Sequence, residues 1–470
     1  MSPVDIVIVG GGISGLSALH FVRTLHPHFS VRLLEAETVL GGTIQTDMVD
    51  GYNFDRGPNG FLDREPLTLR LCNELDLNEK LERAGESASN RYILRQGRLR
   101  KVPMSPQSFL FSDILKLKGK LRLLAEPFAS GPPHDLDESV YDFAVRRIGK
   151  EAADYLVQPM VSGIYGGLAE RLSLRSCFSV MADMEREHGS LLKAMIAKAR
   201  KAKREGRKTG GPAGPAGWLT SFENGLSCLT DRLRDRHSAH ISTNSPVCIV
   251  EKQSGQFRIE IQNGANLSAH SVILATPSYE AARITRKLSQ TLASALEQIV
   301  YAPIAVACMG YDDLSIGRRL DGFGFLIPRR EQRQILGSIW TSSIFANRAP
   351  KGKVQLRMMI GGDGDHDSIQ LSDDALTLLV RKELDDILDI SDPPEIVRVY
   401  RFPRGIPQYH IGHSSILSNI EEGLARVGNL YLSGNAYYGI GLNDCVRQSY
   451  SVVNSLDSIW SPARRPLAGC

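Results

Sequence analysis

No run of about 20 apolar residues occurs anywhere in the chain, so no membrane-spanning helix is expected. The first apolar stretch, Ile6-Val-Ile-Val-Gly, lacks a basic lead and breaks at once into glycines; no secretory leader is expected there. Metal-type cysteine spacing is missing as well. The seven cysteines (72, 177, 228, 248, 308, 445 and 470) are odd in number, and none forms a CxxC or has a suitably spaced histidine. That excludes a disulfide framework or a zinc motif and leaves reduced thiols in a cytoplasmic setting. Charge of one sign is scarce too: 56 basic residues face 52 acidic ones, a net +4, and a nucleic-acid partner is not expected. No Ser-His-Asp set, metal cluster or acid–base pair stands out, and His410 and His413 are read as structural.

What is present begins with size. At 470 residues, 42% hydrophobic and 23% charged, the chain has the composition of a globular protein of two or three lobes. Its start reads as a β-α-β unit: Asp5-Ile-Val-Ile-Val as a strand covered on both faces, Leu16 to Thr24 as a helix, and Val31-Arg-Leu-Leu-Glu35 as the next strand. Between strand and helix, Gly10, Gly11, Gly12, Ile13, Ser14 and Gly15 fit GxGxxG, and Glu35 follows Gly15 by 20 residues. In that context the glycines give a tight turn, close approach of a pyrophosphate and close helix packing, while the carboxylate suits a ribose. Further glycines follow, at Gly41, Gly42 (then Thr43) and in the turn Gly57-Pro58-Asn59-Gly60, which suits a ligand longer than a mononucleotide. Near the far end, Gly434 and the run Gly439-Ile440-Gly441-Leu442 precede a second expected helix, whose N-terminal amides favour negative charge.

The middle has a different texture. From about 105 to 200 the pattern is helical, with Leu110, Ile114, Leu117 and Leu121 at helical spacing. It ends in a basic stretch and a Gly/Pro-rich run, 210–217, read as a loop or linker. Strands return at Val247-Cys-Ile-Val, Phe257-Arg-Ile-Glu-Ile, Val272-Ile-Leu-Ala and Leu430-Tyr-Leu-Ser, and a hairpin is expected from Arg91 to Val102 with its turn at Gln96-Gly97.

These glycine motifs resemble those of the large FAD-binding group of amine oxidases, phytoene desaturases and protoporphyrinogen oxidases. Members usually carry an arginine two residues before the paired glycines, where this chain has Val39. The stretches Asp55-Arg-Gly-Pro-Asn-Gly-Phe-Leu-Asp-Arg-Glu-Pro, Asn90-Arg-Tyr-Ile, Val161-Ser-Gly-Ile-Tyr-Gly-Gly, Asp321-Gly-Phe-Gly-Phe-Leu-Ile-Pro and Gly405-Ile-Pro-Gln-Tyr-His-Ile-Gly-His narrow the resemblance to the protoporphyrinogen oxidases, in register from about residue 5 to 455.

The resemblance implies an α/β fold: a Rossmann-like FAD-binding domain (1–62, 218–281 and 419–460), a mixed-sheet substrate domain (63–95 and 282–418) and a helical insertion (96–217). It implies a non-covalent FAD held by the glycines above with Ala36 and Val247. Arg91 would hold a substrate propionate, a role suited to a guanidinium; read alone, it is one of several charges on a hairpin. Phe323, Leu326, Ile339 and Met359 would enclose the tetrapyrrole, and Gly163 and Gly166 would line it near the flavin. Ile339 and Met359 differ from the residues common in plant members, and an apolar residue is as often simple core. The implied reaction belongs to haem biosynthesis: hydride leaves a methylene bridge of protoporphyrinogen IX for FAD, and dioxygen is reduced to hydrogen peroxide. Coproporphyrinogen III is an alternative substrate. An amine oxidase with Tyr437 and Tyr438 as its aromatic cage, a carotenoid desaturase and a flavin-less escort protein are alternative functions. A homodimer is usual in the group. The helical insertion resembles its membrane-associating lobe, with Lys116, Lys118, Lys120 and Arg122 beside Leu117, Leu121 and Leu124 suiting an anionic surface; a solvated helix face is the alternative.

Overall fold

The computed structural model describes residues 4–131, 137–204, 217–262 and 264–456, so the 210–217 linker lies almost wholly outside the described residues. Within the strand Val4–Val9, the stretch from Ile6 onward is apolar and buried because both its faces are covered. Ile6 and Ile8 pack into a core with the helix Ile13–Leu25, while Val7 and Val9 enter a second core on the other face. Val31–Leu34 and Asn266–Leu274 flank this strand in parallel, and Leu430–Leu432 extends the parallel set beside Asn266–Leu274. Gln256–Ile261 and Val247–Gln253 complete one side as an antiparallel meander. A seventh strand, Ile241–Ser242, closes the other edge. The helix Leu442–Ser455 lies against Ile13–Leu25, joined where Ser449 Oγ donates to the Ser14 carbonyl at 2.8 Å.

The second sheet also has seven strands, ordered Ile396–Pro407, Tyr301–Asp312, Lys353–Gly361, Gly337–Trp340, Gly324–Leu326, Tyr92–Arg95 and Arg98–Lys101. All neighbours are antiparallel except Gly324–Leu326 with Tyr92–Arg95, so the sheet is mixed. The expected hairpin forms, and Gln96 (φ 52°) with Gly97 (φ 69°) takes the left-handed pair of a two-residue turn. The fold is thus α/β, a Rossmann-like lobe beside a mixed-sheet lobe.

Two stretches join neighbours other than those the sequence division gave them. Arg98–Lys101 extends the second sheet rather than the helical region. Leu71, Cys72, Leu75 and Leu77 pack into the core under Ile13–Leu25, because the helix Pro66–Glu74 turns its apolar side that way.

The helical region contains Pro106–Phe111, Leu117–Leu124, Val140–Ile148, Gln158–Tyr165, Leu174–His188 and Leu191–Arg204. The expected helical spacing is interrupted between the first two of these helices. Ile114 is buried in a turn between helices, whereas Leu110, Leu117 and Leu121 point outward at 55%, 73% and 59% exposure. Part of the interior is ionic instead. Arg147, fully buried, pairs with Glu126 and with Glu185 at 3.2 Å, and Ser190 Oγ donates to Glu126 at 2.6 Å. Breaking one member of such a buried set costs about 3–5 kcal/mol, because it strands the other charge.

Six cysteines are described and none is in a disulfide. Among the described residues no helix is long and apolar enough to cross a membrane, and no group of three or more His, Cys, Asp or Glu side chains is placed to hold a metal.

Candidate functional site

The glycine turn after the first strand is held by its own neighbours. A Cβ on Gly15 would lie 1.8 Å from the Gly10 carbonyl oxygen, so only glycine lets the helix start this close to the strand. Gly11 N–H donates to Glu35 Oε2 at 2.5 Å and Glu37 N–H to Glu35 Oε1 at 2.9 Å. The expected ribose ligand therefore also braces the turn. Gly41 N–H donates to the Gly11 carbonyl at 2.8 Å, which brings the Gly41-Gly42-Thr43 turn alongside. Gly42, Thr43 and Ala36 are exposed around it, and Ile13 and Ser14 are buried behind it.

Three observations test whether FAD fits. The helix Ile13–Leu25 has Gly12 as its N-cap, with no side-chain cap and no acidic residue in its first turn. Its N-terminal amides and dipole are thus left for an anion, and the space in front of Gly12 is open, with nothing within 4 Å of a Cβ built there. Asn59 Nδ2, in the Gly57-Pro58-Asn59-Gly60 turn, and Thr276 Oγ1, beside Gly10, are buried without hydrogen-bond partners. Such orphans are what a missing ligand leaves behind. The residues fit FAD.

At the far end, Gly441 is the N-cap of Leu442–Ser455, as expected, but its N–H is taken by Asp444 Oδ2 at 3.1 Å. Asp444 also pairs with Arg447. This second N-terminus carries its own anion, a residue the sequence reading passed over although G-x-x-D is a capping pattern. Gly434 is buried below, and Ile440 packs against the cluster that contains Val161, Tyr165 and Tyr409. Val247 has its side chain in the first lobe's core and its carbonyl bonded by Arg283 Nη2 at 2.9 Å, so a role at a cofactor would fall to its remaining backbone.

The residues expected around a tetrapyrrole fall on the second sheet and the helix beside it. Leu326 pairs with Gly337, Gly337 with Met359 and Gly324 with Ile339. Phe323, Leu326, Ile339 and Met359 are all only partly buried, unlike Phe325, Trp340 and Met358 on the opposite face. Phe323 and Ile339 rest on Ala84, Ala88, Ile344 and Phe345, and Met359 rests on Tyr52, Phe54, Ile304, Val306 and Cys308. Gly163 faces Leu326, whose Cδ2 would be 2.7 Å from an added Cβ, and Gly166 (φ 58°) ends the helix Gln158–Tyr165 against Ile304. Arg91 stacks its guanidinium over Phe323, 5.5 Å from the ring centroid. It has no carboxylate partner among the described residues. Although the side chain as a whole is exposed, crowding by protein desolvates the guanidinium and lowers its pKa.

His410 and His413 gain partners that the sequence did not reveal. His410 Nε2 lies 3.4 Å from buried Asp363, whose carboxyl is held below the usual range chiefly by that histidine. His413 stacks on Tyr409 at 4.2 Å and meets the Tyr437 carbonyl at 3.2 Å. Also unforeseen is Arg357, 6% exposed, which donates through Nη2 to the Gly57 carbonyl and links the two lobes beside Met359. A charge amid the apolar run Val354-Gln-Leu-Arg-Met-Met-Ile was the available signal.

Comparison with known proteins agrees with this layout. The family model for flavin containing amine oxidoreductase matches residues 13–456. A coproporphyrinogen III oxidase from Bacillus subtilis (strain 168) is 29% identical, over 96% of this chain and 97% of that protein. A chloroplastic protoporphyrinogen oxidase from Nicotiana tabacum is 32% identical, over 97% and 86% respectively. A crystal structure from Exiguobacterium sp. 255-15, provisionally assigned as a protoporphyrinogen oxidase, superposes with a TM-score of 0.83 at 27% identity, covering 98% of this chain and all of that one. With its glycine cradle and a match over nearly its whole length, the chain belongs to the flavin containing amine oxidoreductases and is an FAD-dependent oxidoreductase.

Proposed function

We propose that this chain oxidises a porphyrinogen, protoporphyrinogen IX being the substrate its resemblance implies, with dioxygen as the electron acceptor. The observation that carries the reading is Arg91: a guanidinium without a carboxylate partner among the described residues, stacked on Phe323 at the end of a half-exposed apolar sheet face. A flat hydrocarbon ring with carboxylates at its rim matches that pairing of surfaces. Bound FAD supplies the hydride acceptor. The chain's own work is positioning: Arg91 fixes a propionate, Phe323, Leu326, Ile339 and Met359 cover the ring and exclude water, and Gly163 and Gly166 keep side chains out of the closest approach. In this reading the cofactor lobe is the one built on the first sheet, the substrate lobe the one built on the second, and the helical lobe the remainder.

The amine-oxidase alternative loses its cage. Tyr437 is buried in the first lobe's core, and Tyr438 points outward with its hydroxyl on Glu421. The flavin-less alternative sits poorly with an uncapped helix and an open glycine turn.

Porphyrin fluorescence with the flavin-loaded protein is the test. Protoporphyrinogen IX should turn over, and Arg91→Ala should lower kcat/KM about tenfold or more, mainly through KM, as loss of a charge-assisted pair implies. No turnover of either porphyrinogen by flavin-bound protein would end the reading.

The outward apolar side chains of the helical lobe support a peripheral membrane contact. Phe111 and Phe128 are 91% and 90% exposed, next to Leu117, Leu121 and Leu124. Lys120 and Arg122 are spent on the carbonyls of Leu110, Arg146 and Arg147, which leaves Lys116 and Lys118 for headgroups. Co-sedimentation with phosphatidylglycerol vesicles should fall when Phe111 and Phe128 are both changed to Ser; equal pelleting would remove the lobe from the argument.

A further inference from the structure

Four arginines are buried among the described residues: Arg95, Arg147, Arg348 and Arg357. Three have carboxylates, since Arg95 pairs with Glu151 at 2.8 Å, Arg147 with Glu126, and Arg348 with Asp55 at 3.3 Å. Arg357 has none among the described residues. Its Nη2 donates to the Gly57 carbonyl and, at 3.5 Å, to that of Arg56, while its Nε is buried without an acceptor. Neutral donors could hold those carbonyls. A buried guanidinium left uncompensated is costly unless a ligand's negative charge completes it.

Strand register shows where that charge would enter. Arg357 lies opposite Ile339 on one side and Cys308 on the other, and Met359 lies opposite Gly337 and Val306. Residues two apart on a strand share a face, so Arg357 sits on the face that carries Ile339 and Met359. Arg91 lies at the far side of the same face. It directly precedes Tyr92, which pairs with Phe325, and Gly324 next to it pairs with Ile339. Four strands in a row therefore carry Arg91, Gly324, Ile339 and Arg357. The two arginines are three inter-strand spacings apart, about 14 Å. That is a span on the scale of a tetrapyrrole with its side arms.

On the reading of this face as a porphyrinogen pocket, we propose that Arg357 is a second carboxylate anchor, a specificity-determining residue that favours porphyrinogens with carboxylates on opposed edges of the ring. Coproporphyrinogen III, with a propionate on every pyrrole, offers one carboxylate to Arg91 and another to Arg357. Protoporphyrinogen IX, with both propionates on one edge, satisfies Arg91 and leaves Arg357 facing vinyl and methyl groups.

The experiment compares wild type, Arg357→Gln and Arg357→Lys, all flavin-loaded, on both porphyrinogens. It adds equilibrium binding of the stable products coproporphyrin III and protoporphyrin IX by fluorescence. Wild type should have the higher kcat/KM with coproporphyrinogen III. Arg357→Gln, which keeps a donor for Gly57, should lose about tenfold or more with that substrate through KM and less than about threefold with protoporphyrinogen IX. Arg357→Lys should recover part of the loss, and coproporphyrin III binding should weaken in parallel. Equal losses on both substrates, or a changed flavin content or reduction potential, would overturn the proposal and assign the guanidinium to fold or flavin. A wild type that oxidises protoporphyrinogen IX at least as well as coproporphyrinogen III would overturn it too. A wild type that neither oxidises nor binds either tetrapyrrole would instead overturn the porphyrinogen reading itself, and this one with it.

Discussion

Two of the helices that begin at glycines, Ile13–Leu25 and Leu442–Ser455, treat their N-termini in opposite ways. Ile13–Leu25 starts at Gly12 with no cap and no acid in its first turn, so its dipole is left for something that is not protein. Leu442–Ser455 starts at Gly441 with Asp444 already on the cap N–H and Arg447 on Asp444. A helix end that awaits a ligand forgoes about 1 kcal/mol of capping until the ligand arrives. One that brings its own carboxylate is settled in advance. The first end leaves its amides open, and the second meets its own carboxylate at the cap N–H.

Three perturbations would sharpen or break that contrast. The largest effect is expected from Gly12→Asp. Gly12 has ordinary extended backbone (φ −73°) and open space for a side chain, so aspartate should cap the helix and stabilise the apoprotein by about 0.5–1 kcal/mol. The same carboxylate should repel the pyrophosphate and weaken FAD about tenfold or more, giving opposite signs in apoprotein denaturation and flavin titration. Loss of both would mean that the turn needs glycine for shape alone. A smaller effect is expected at the other helix. Asp444→Ala should cost about 1 kcal/mol in denaturant unfolding and leave flavin affinity within about twofold; a protein purified without flavin would show that the second N-terminus is as ligand-dependent as the first.

The smallest effect concerns the back of the first helix. His20 Nδ1 meets His237 Nε2 at 3.0 Å, and His20 Nε2 meets Glu74 at 2.8 Å. Burial lowers the pKa of both histidines, that of His237 to about 4. A depressed histidine is neutral in the fold while the unfolded chain takes up a proton below pH 6.5, so stability falls as pH drops from about 6.5 towards 4. The apoprotein melting temperature should show this slope, and His237→Gln should flatten it; an unchanged slope would place the acid sensitivity elsewhere.

How much of this was legible in the sequence depended on the range of the physics involved. The first β-α-β unit was, because apolar runs, glycine spacing and Glu35 are local signals, and the hairpin at Gln96-Gly97 was for the same reason. Helical spacing at Leu110, Leu117 and Leu121 showed a face but not its direction; whether it meets core or solvent depends on what the rest of the chain offers. Arg357 was invisible as an unpaired charge, since its contact at Gly57 and its lack of a carboxylate are set by residues some 300 positions away. The substrate residues were proposed by resemblance, not by pattern. Side chains such as Ile339 and Met359 share one face only through strand register, which no composition reveals.

The order of strands in the first sheet also bears on how the protein is made. Val4–Val9 leaves the ribosome well before its partners: its neighbour Asn266–Leu274 follows more than 250 residues later, and Leu430–Leu432 and the helix Leu442–Ser455 come later still. The lobe that grips the cofactor cannot close on a nascent chain. Until those partners emerge, the early strands present unpaired apolar edges, and closing such long loops is slow. Cofactor capture therefore waits on segments that lie more than 250 residues apart in the chain.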